Sequence, residues 1–246
     1  MLEFAILGLH RSGTNYLART MDINFRKTTK LKFVTGNGAP NEDGSKNVTP
    51  DQKKDISKHL YGYESHDIPV YNYVLIHKSP YQWIDSVKTR ELDFLKFYPD
   101  AYEYSGGHTI WNYSVMARIY NEFHIYWKNA GKHRNIRYVK YEDLLTQTAD
   151  VLDGIKDHWQ LDKKHESYQM PTRVHQSTAN FDEAKWKKQF YTDLTWDEIE
   201  QVNAGINKDI MRVLGYDFIE DPSDRRHRIK NVPNYEQSSS QLSFNF

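Results

Sequence analysis

Cysteine is missing from the sequence altogether. That excludes disulfides, thiolate-held metals and a cysteine nucleophile, and it suits a reducing compartment. Net charge is missing too, because 33 Lys and Arg balance 33 Asp and Glu. Such a balance argues against the basic surface that non-specific nucleic-acid binding needs. No apolar run approaches the roughly 20 residues of a membrane-spanning helix. The stretch from Met1 to Gly8 has neither the basic start nor the longer apolar core of a secretory leader. Together these absences predict a cytoplasmic protein with no nucleic-acid and no membrane partner.

What is present begins with a length of 246 residues, which fits one α/β domain or such a domain with a helical cap. The 18 tyrosines and 6 tryptophans serve either packing or a pocket for flat ligands, and composition does not choose between these. Phe4 to Leu7 predicts a strand buried on both faces, ended by Gly8, and a helix opens near Thr14 with Tyr16, Leu17 and Met21 on one side. Leu31 to Thr35 predicts a second strand, followed by a polar stretch from Pro40 to Pro50 and a helix over Asp51 to Leu60. Tyr73 to His77 predicts a further strand, after which Ser79 caps a helix with Pro80 at its first position and Trp83, Ile84 and Val87 inward.

Farther on, Ile110 to Lys128 reads as one long helix with Trp111, Val115, Ile119, Phe123 and Tyr126 along its stripe. Ile136 to Tyr141 reads as a strand, and Val151, Leu152, Ile155 and Trp159 share a face of the next helix. Thr195 and Glu198 form a capping box for a helix that buries Ile199, Val202, Ile206, Ile210 and Leu214 and closes at Gly215. Alternating strands and helices imply an open, mostly parallel sheet flanked by helices. The expected domain covers residues 1–220, and 221–246 form a polar, Ser-rich tail.

Two segments carry chemistry. Gly8-Leu9-His10-Arg11-Ser12-Gly13-Thr14-Asn15 joins the first strand to the first helix. A glycine-containing turn of this kind aims backbone N–H groups and a helix N-terminus at one point, which binds phosphate or sulfate. Arg11 adds a permanent cation, and Ser12 and Thr14 add hydroxyls. Gly8 and Gly13 have the glycine spacing of a nucleotide-binding P-loop, but Thr14 stands where that motif needs lysine. The second segment is Lys78-Ser79-Pro80 with Ser86 eight residues after the lysine. In a doubly wound sheet both loops open at the carboxyl ends of strands, so a second anion can be held apart from the first.

Taken together, the segments resemble the PAPS-dependent sulfotransferase family, of bacterial and viral type. Arg11-Ser12-Gly13-Thr14-Asn15-Tyr16 resembles its 5′-phosphosulfate loop, and Lys78-Ser79-Pro80 with Ser86 resembles its 3′-phosphate motif. Tyr141-Glu142-Asp143-Leu144-Leu145 is similar to a family segment after a core strand, and Phe181 to Tyr216 is similar to its closing pattern. The resemblance implies a P-loop-like α/β fold with a helical cap on the acceptor side. It also implies a nucleotide-binding transferase that uses 3′-phosphoadenosine 5′-phosphosulfate (PAPS), without a metal, on a small-molecule or glycan acceptor. Arg11, Ser12, Gly13, Thr14 and Asn15 would then hold the 5′-phosphosulfate, Tyr16 would stack on adenine, and Lys78 and Ser86 would hold the 3′-phosphate. Arg173, Lys185 or Lys187 would complete the 3′-phosphate site.

Arg11 is the expected charge stabiliser. For the base the sequence offers Glu42 and Asp43 after the second strand, and His108 ahead of the aromatic helix. His10 touches the first loop, while the predicted topology turns His59 and His66 away. Two other readings stand beside this one: a P-loop-type nucleotide kinase, and a non-catalytic nucleotide-binding module.

Overall fold

A computed structural model describes residues 2–26, 29–31, 72–89, 99–130, 135–171 and 192–223. The expected strand residues 32–35, the polar stretch from Pro40, the helix ending at Leu60 and tail residues 224–246 lie outside the described residues.

Strands β1 (Leu2–Leu7), β3 (Asn72–His77) and β6 (Ile136–Lys140) form a parallel sheet, with the short β2 (Thr29–Leu31) beside β1. The order is β2-β1-β3-β6, and Ile6 lies against Val74 while Leu75 lies against Tyr138. β3 is the centre of this arrangement, and residues 73–77 are all buried. Its alternating side chains feed two cores, as residues of a strand covered on both faces must. Val74 and Ile76 join Phe4, Ile6 and Val139 under α1 (Thr14–Asn24), α4 (Tyr141–Thr146) and α5 (Thr148–Trp159). Tyr73 and Leu75 join Leu7 under α2 (Pro80–Lys88), α3 (Tyr113–Ala130), α6 (Trp196–Gly205) and α7 (Lys208–Leu214). The result is a small parallel sheet between two helical layers.

Three expectations change. Ile110 and Trp111 are not helical: they end β5 (His108–Trp111), which pairs antiparallel with β4 (Tyr102–Ser105). The two-residue turn between them, Gly106-Gly107, has φ of 58° and 82°, the left-handed pair that a tight hairpin requires. The helix therefore starts at Tyr113, and its buried face centres on Met116, Tyr120, Phe123 and Trp127, with Val115 and Tyr126 at the margins. Tyr141 opens α4 rather than ending β6.

The apolar stripe from Ile199 to Leu214 also spans two helices. Asn207 caps the second by accepting from the N–H groups of Asp209 and Ile210, and this local alternative interrupts the first. The Thr195–Glu198 capping box and the left-handed Gly215 cap form as expected, and α2 starts at Pro80 with Trp83, Ile84 and Val87 fully buried. Among the described residues no helix is long and apolar enough to cross a membrane.

Candidate functional site

The strand order defines where a ligand fits. From β1 the chain goes to β2 on one side, while β3 lies on the other, so the loops leaving β1 and β3 flank a crevice at the carboxyl edge of the sheet.

The loop after β1 is built from backbone. φ is positive at Arg11 (69°) and at Gly13 (97°) but not at Ser12 between them. Alternation of this kind can turn neighbouring N–H groups toward one side, an arrangement suited to anions. The amino end of α1 points its partial positive charge at the same place. Gly8 allows close approach, because a Cβ there would lie 2.5 Å from the Ile76 carbonyl oxygen. The Trp83 indole donates to the His10 carbonyl at 2.7 Å, and the Ser12 amide donates to Leu9 O at 3.0 Å, so the loop is tied both to α2 and to itself. Arg11 and Asn15 are exposed, Thr14 is buried, and the buried Ser12 Oγ has no hydrogen-bond partner among the described residues. The ring of Tyr16 is covered in the core, edge-on to Tyr141 at 6.3 Å, and burial raises its phenol to about 12. The stacking expected of Tyr16 finds no open ring face.

The corner after β3 is built from side chains. Lys78 is 4 % exposed, donates to Ser86 Oγ at 3.2 Å, and sits over the Tyr141 ring at 4.3 Å. The spacing seen in the sequence thus becomes a contact, because Ser86 lies on the second turn of α2 and faces back toward the strand end. Burial pulls the Lys78 ammonium down to about 8, with Glu142 opposing and the Arg11 guanidinium adding to the fall. Arg11 and Lys78, far apart in sequence, therefore act on one region. Tyr141 lies between the loops: a Cβ on Gly13 would come within 2.6 Å of its ring, on which Lys78 also rests.

The backbone of this corner is clamped. Tyr120 donates to the Lys78 carbonyl at 2.8 Å, and the Ser79 amide donates to Glu142 Oε1 at 3.0 Å. Glu142 Oε2 accepts from Tyr216 at 2.9 Å, and His77 Nδ1 lies 3.1 Å from the same Tyr216 oxygen. Glu142 is almost fully buried, and burial raises its carboxyl while the Ser79 N–H opposes that rise. Glu142, Tyr120 and Tyr216 were not singled out as site residues from the sequence. Two of them lie in segments that carry the family resemblance, Glu142 in residues 141–145 and Tyr216 at the end of residues 181–216, and that is the sign the sequence offers.

Of the candidate bases, His108 is exposed beside the hairpin turn, opposite Ser105, and makes no hydrogen bond with either loop. Glu42, Asp43, His59, His66, Arg173, Lys185 and Lys187 lie outside the described residues. Behind the corner, His77 and His124 line a cavity of about 470 Å³ with Ile136, Tyr138, Ile210 and Leu214. Burial holds His124 down to about 3, so its imidazole is neutral.

Set against known protein families, curated proteins and solved structures, the chain finds no match. What the site binds must be read from its own chemistry: two neighbouring loops, one lined by backbone and one by a buried ammonium, each suited to an anion.

Proposed function

We propose that this chain is a sulfotransferase that uses PAPS and acts on a hydroxyl or amine of a small-molecule or glycan acceptor. The observation that carries the reading is the buried Lys78–Ser86 pair standing beside the positive-φ loop, with Arg11 acting on both. Two anion subsites of different construction fit a ligand with a phosphosulfate at one end of its ribose and a phosphate on another carbon. The donor set agrees with that fit: the Ser12 hydroxyl and the glycine backbone meet the first group, and Lys78 with Ser86 meets the second.

Bound there, PAPS supplies a sulfuryl group whose bond to the 5′-phosphate breaks as the acceptor forms the new one. Arg11 holds the charge that grows on the oxygens between sulfur and phosphorus. The loop from Ser12 to Asn15 fixes the line of attack, and positioning of this kind accounts for much of the catalysis in comparable phosphoryl transfers. The acceptor proton passes to a base, for which Glu42, Asp43 and His108 are the candidates. In this reading the helices α3 and α6, which pack together where Gly205 meets Ala117, would border the acceptor side.

The test is a thermal melt. Adenosine 3′,5′-bisphosphate without metal should raise the melting temperature, by about 2.7 kcal/mol of stabilisation at a hundred times its dissociation constant. Mg-ATP should do far less, because Thr14 replaces the lysine that reaches terminal phosphates. A larger shift with Mg-ATP would turn the reading into a nucleotide kinase.

A further inference from the structure

The corner that carries Lys78 is held at three successive residues by three different elements. Tyr216, after α7, meets His77; Tyr120 of α3 holds the Lys78 carbonyl; Glu142 of α4 holds the Ser79 amide. Only one of these partners bears a charge. Its two oxygens are both engaged, one by Ser79 and one by Tyr216, and its helix also supplies the Tyr141 ring beneath the ammonium. A carboxylate that is 1 % exposed would be costly to keep without these partners.

We propose that Glu142 is a positioning residue of the anion site, fixing the Lys78–Ser79 corner and supplying the counter-charge that the buried Lys78 ammonium needs to hold its ligand. The inference deepens the proposed function by assigning the residue that sets the pH range of the second subsite.

The charges around Lys78 make the direction clear. Arg11, from the loop after β1, pushes its proton off; Glu142 on α4 and Asp85 on α2 hold it on, Glu142 more strongly. Tyr141, Tyr120 and Tyr216, packed from α4, α3 and the end of α7, are held neutral, since burial raises all three phenols. His77 is neutral as well, lowered by burial and then by His124 and Lys140. An anion binds the protonated lysine, so affinity is level below the lysine's own pKa and falls above it. With that pKa at about 8, the fall begins near the top of the physiological range. Removing the Glu142 charge lowers the lysine further, and the fall begins at lower pH.

The test uses Glu142→Gln, which keeps the shape and can still accept the Ser79 N–H. Titration calorimetry with adenosine 3′,5′-bisphosphate from about pH 7.5 to 9.5, where both phosphates stay dianionic, reads the binding profile. In the unsubstituted protein, affinity should drop about tenfold per pH unit above the lysine's pKa. In Glu142→Gln the drop should already be under way at the lowest pH, whereas Lys78→Arg should abolish it because arginine stays protonated. Arg11→Ala should shift the profile the opposite way.

A ligand-free measurement separates this inference from the functional reading: the pH dependence of amine labelling at Lys78, followed by peptide mass spectrometry. If the unsubstituted protein binds no bisphosphate, the sulfotransferase reading fails, and the labelling profile still decides the role of Glu142. A Lys78 labelling profile identical in Glu142→Gln and the unsubstituted protein, or displaced to higher pH in the variant, overturns the proposal.

Discussion

The loop after β1 and the corner after β3 leave neighbouring strands at the same edge of the sheet, yet under the proposed function they would hold an anion by opposite means. The first depends on backbone conformation, with Arg11 and Gly13 in the left-handed region and its one charge exposed. The second depends on a buried charge whose surroundings are locked by Tyr120, Glu142 and Tyr216. A backbone site carries no titrating group and is insensitive to pH, but it fails if the chain cannot keep its dihedrals. A side-chain site needs no left-handed dihedrals, but it depends on the clamps and the charges around it. The difference teaches where each subsite is vulnerable.

Gly13→Ala gives the hardest test of that difference. A methyl group there meets the Tyr141 ring, and φ of 97° is strained for any L side chain. The two effects together should cost about 3 kcal/mol of stability, read by urea denaturation, and should remove bisphosphate binding as well. An unchanged midpoint would mean that the loop does not rely on its dihedrals, and the contrast would collapse.

Next come the two cations, which should separate cleanly. Arg11→Ala leaves an exposed position, so the melting temperature should stay put while turnover with PAPS falls about a hundredfold. Lys78→Ala should weaken bisphosphate binding by about 1.5–3 kcal/mol yet spare adenosine 5′-phosphosulfate, which lacks the 3′-phosphate. Ser86→Ala should follow Lys78→Ala more weakly. Equal losses for both ligands would show that the corner does not read the 3′-phosphate.

The smallest effect belongs to a residue in neither subsite. Gln82 is 3 % exposed, and among the described residues neither end of its amide has a hydrogen-bond partner. Gln82→Met keeps the volume and removes an unsatisfied polar group, so it should raise stability by about 1 kcal/mol without altering affinity. A loss of stability would show that the amide is engaged after all.

How much of this was legible in the sequence follows from what is local. The β1 loop was, because glycines at two positions after an apolar run specify a turn within a few residues. The Lys78–Ser86 pair was, because two turns of one helix fix the spacing. The clamp was not: Tyr120, Glu142 and Tyr216 reach the corner from three separate elements, and no periodicity within a segment marks a contact across more than 40 residues of chain. The hairpin at Tyr102 to Trp111 was missed for another reason. Its apolar residues join smoothly onto the α3 stripe, and the Gly106-Gly107 turn signal went unused. The strand order became clear only from the sheet itself, since the run of strands and helices fits several orders.

Tyr141 has a further consequence. Its ring packs against Gly13 and carries the Lys78 ammonium over it, so under the proposed function a single phenol would space the two anion seats. A flat ring neither stretches nor compresses. Under the proposed function it would work as a gauge: a ligand would be measured by the distance between its two negative groups before its base or its acceptor partner is read, and one that carries a single anion would fill half the gauge and gain from only one seat.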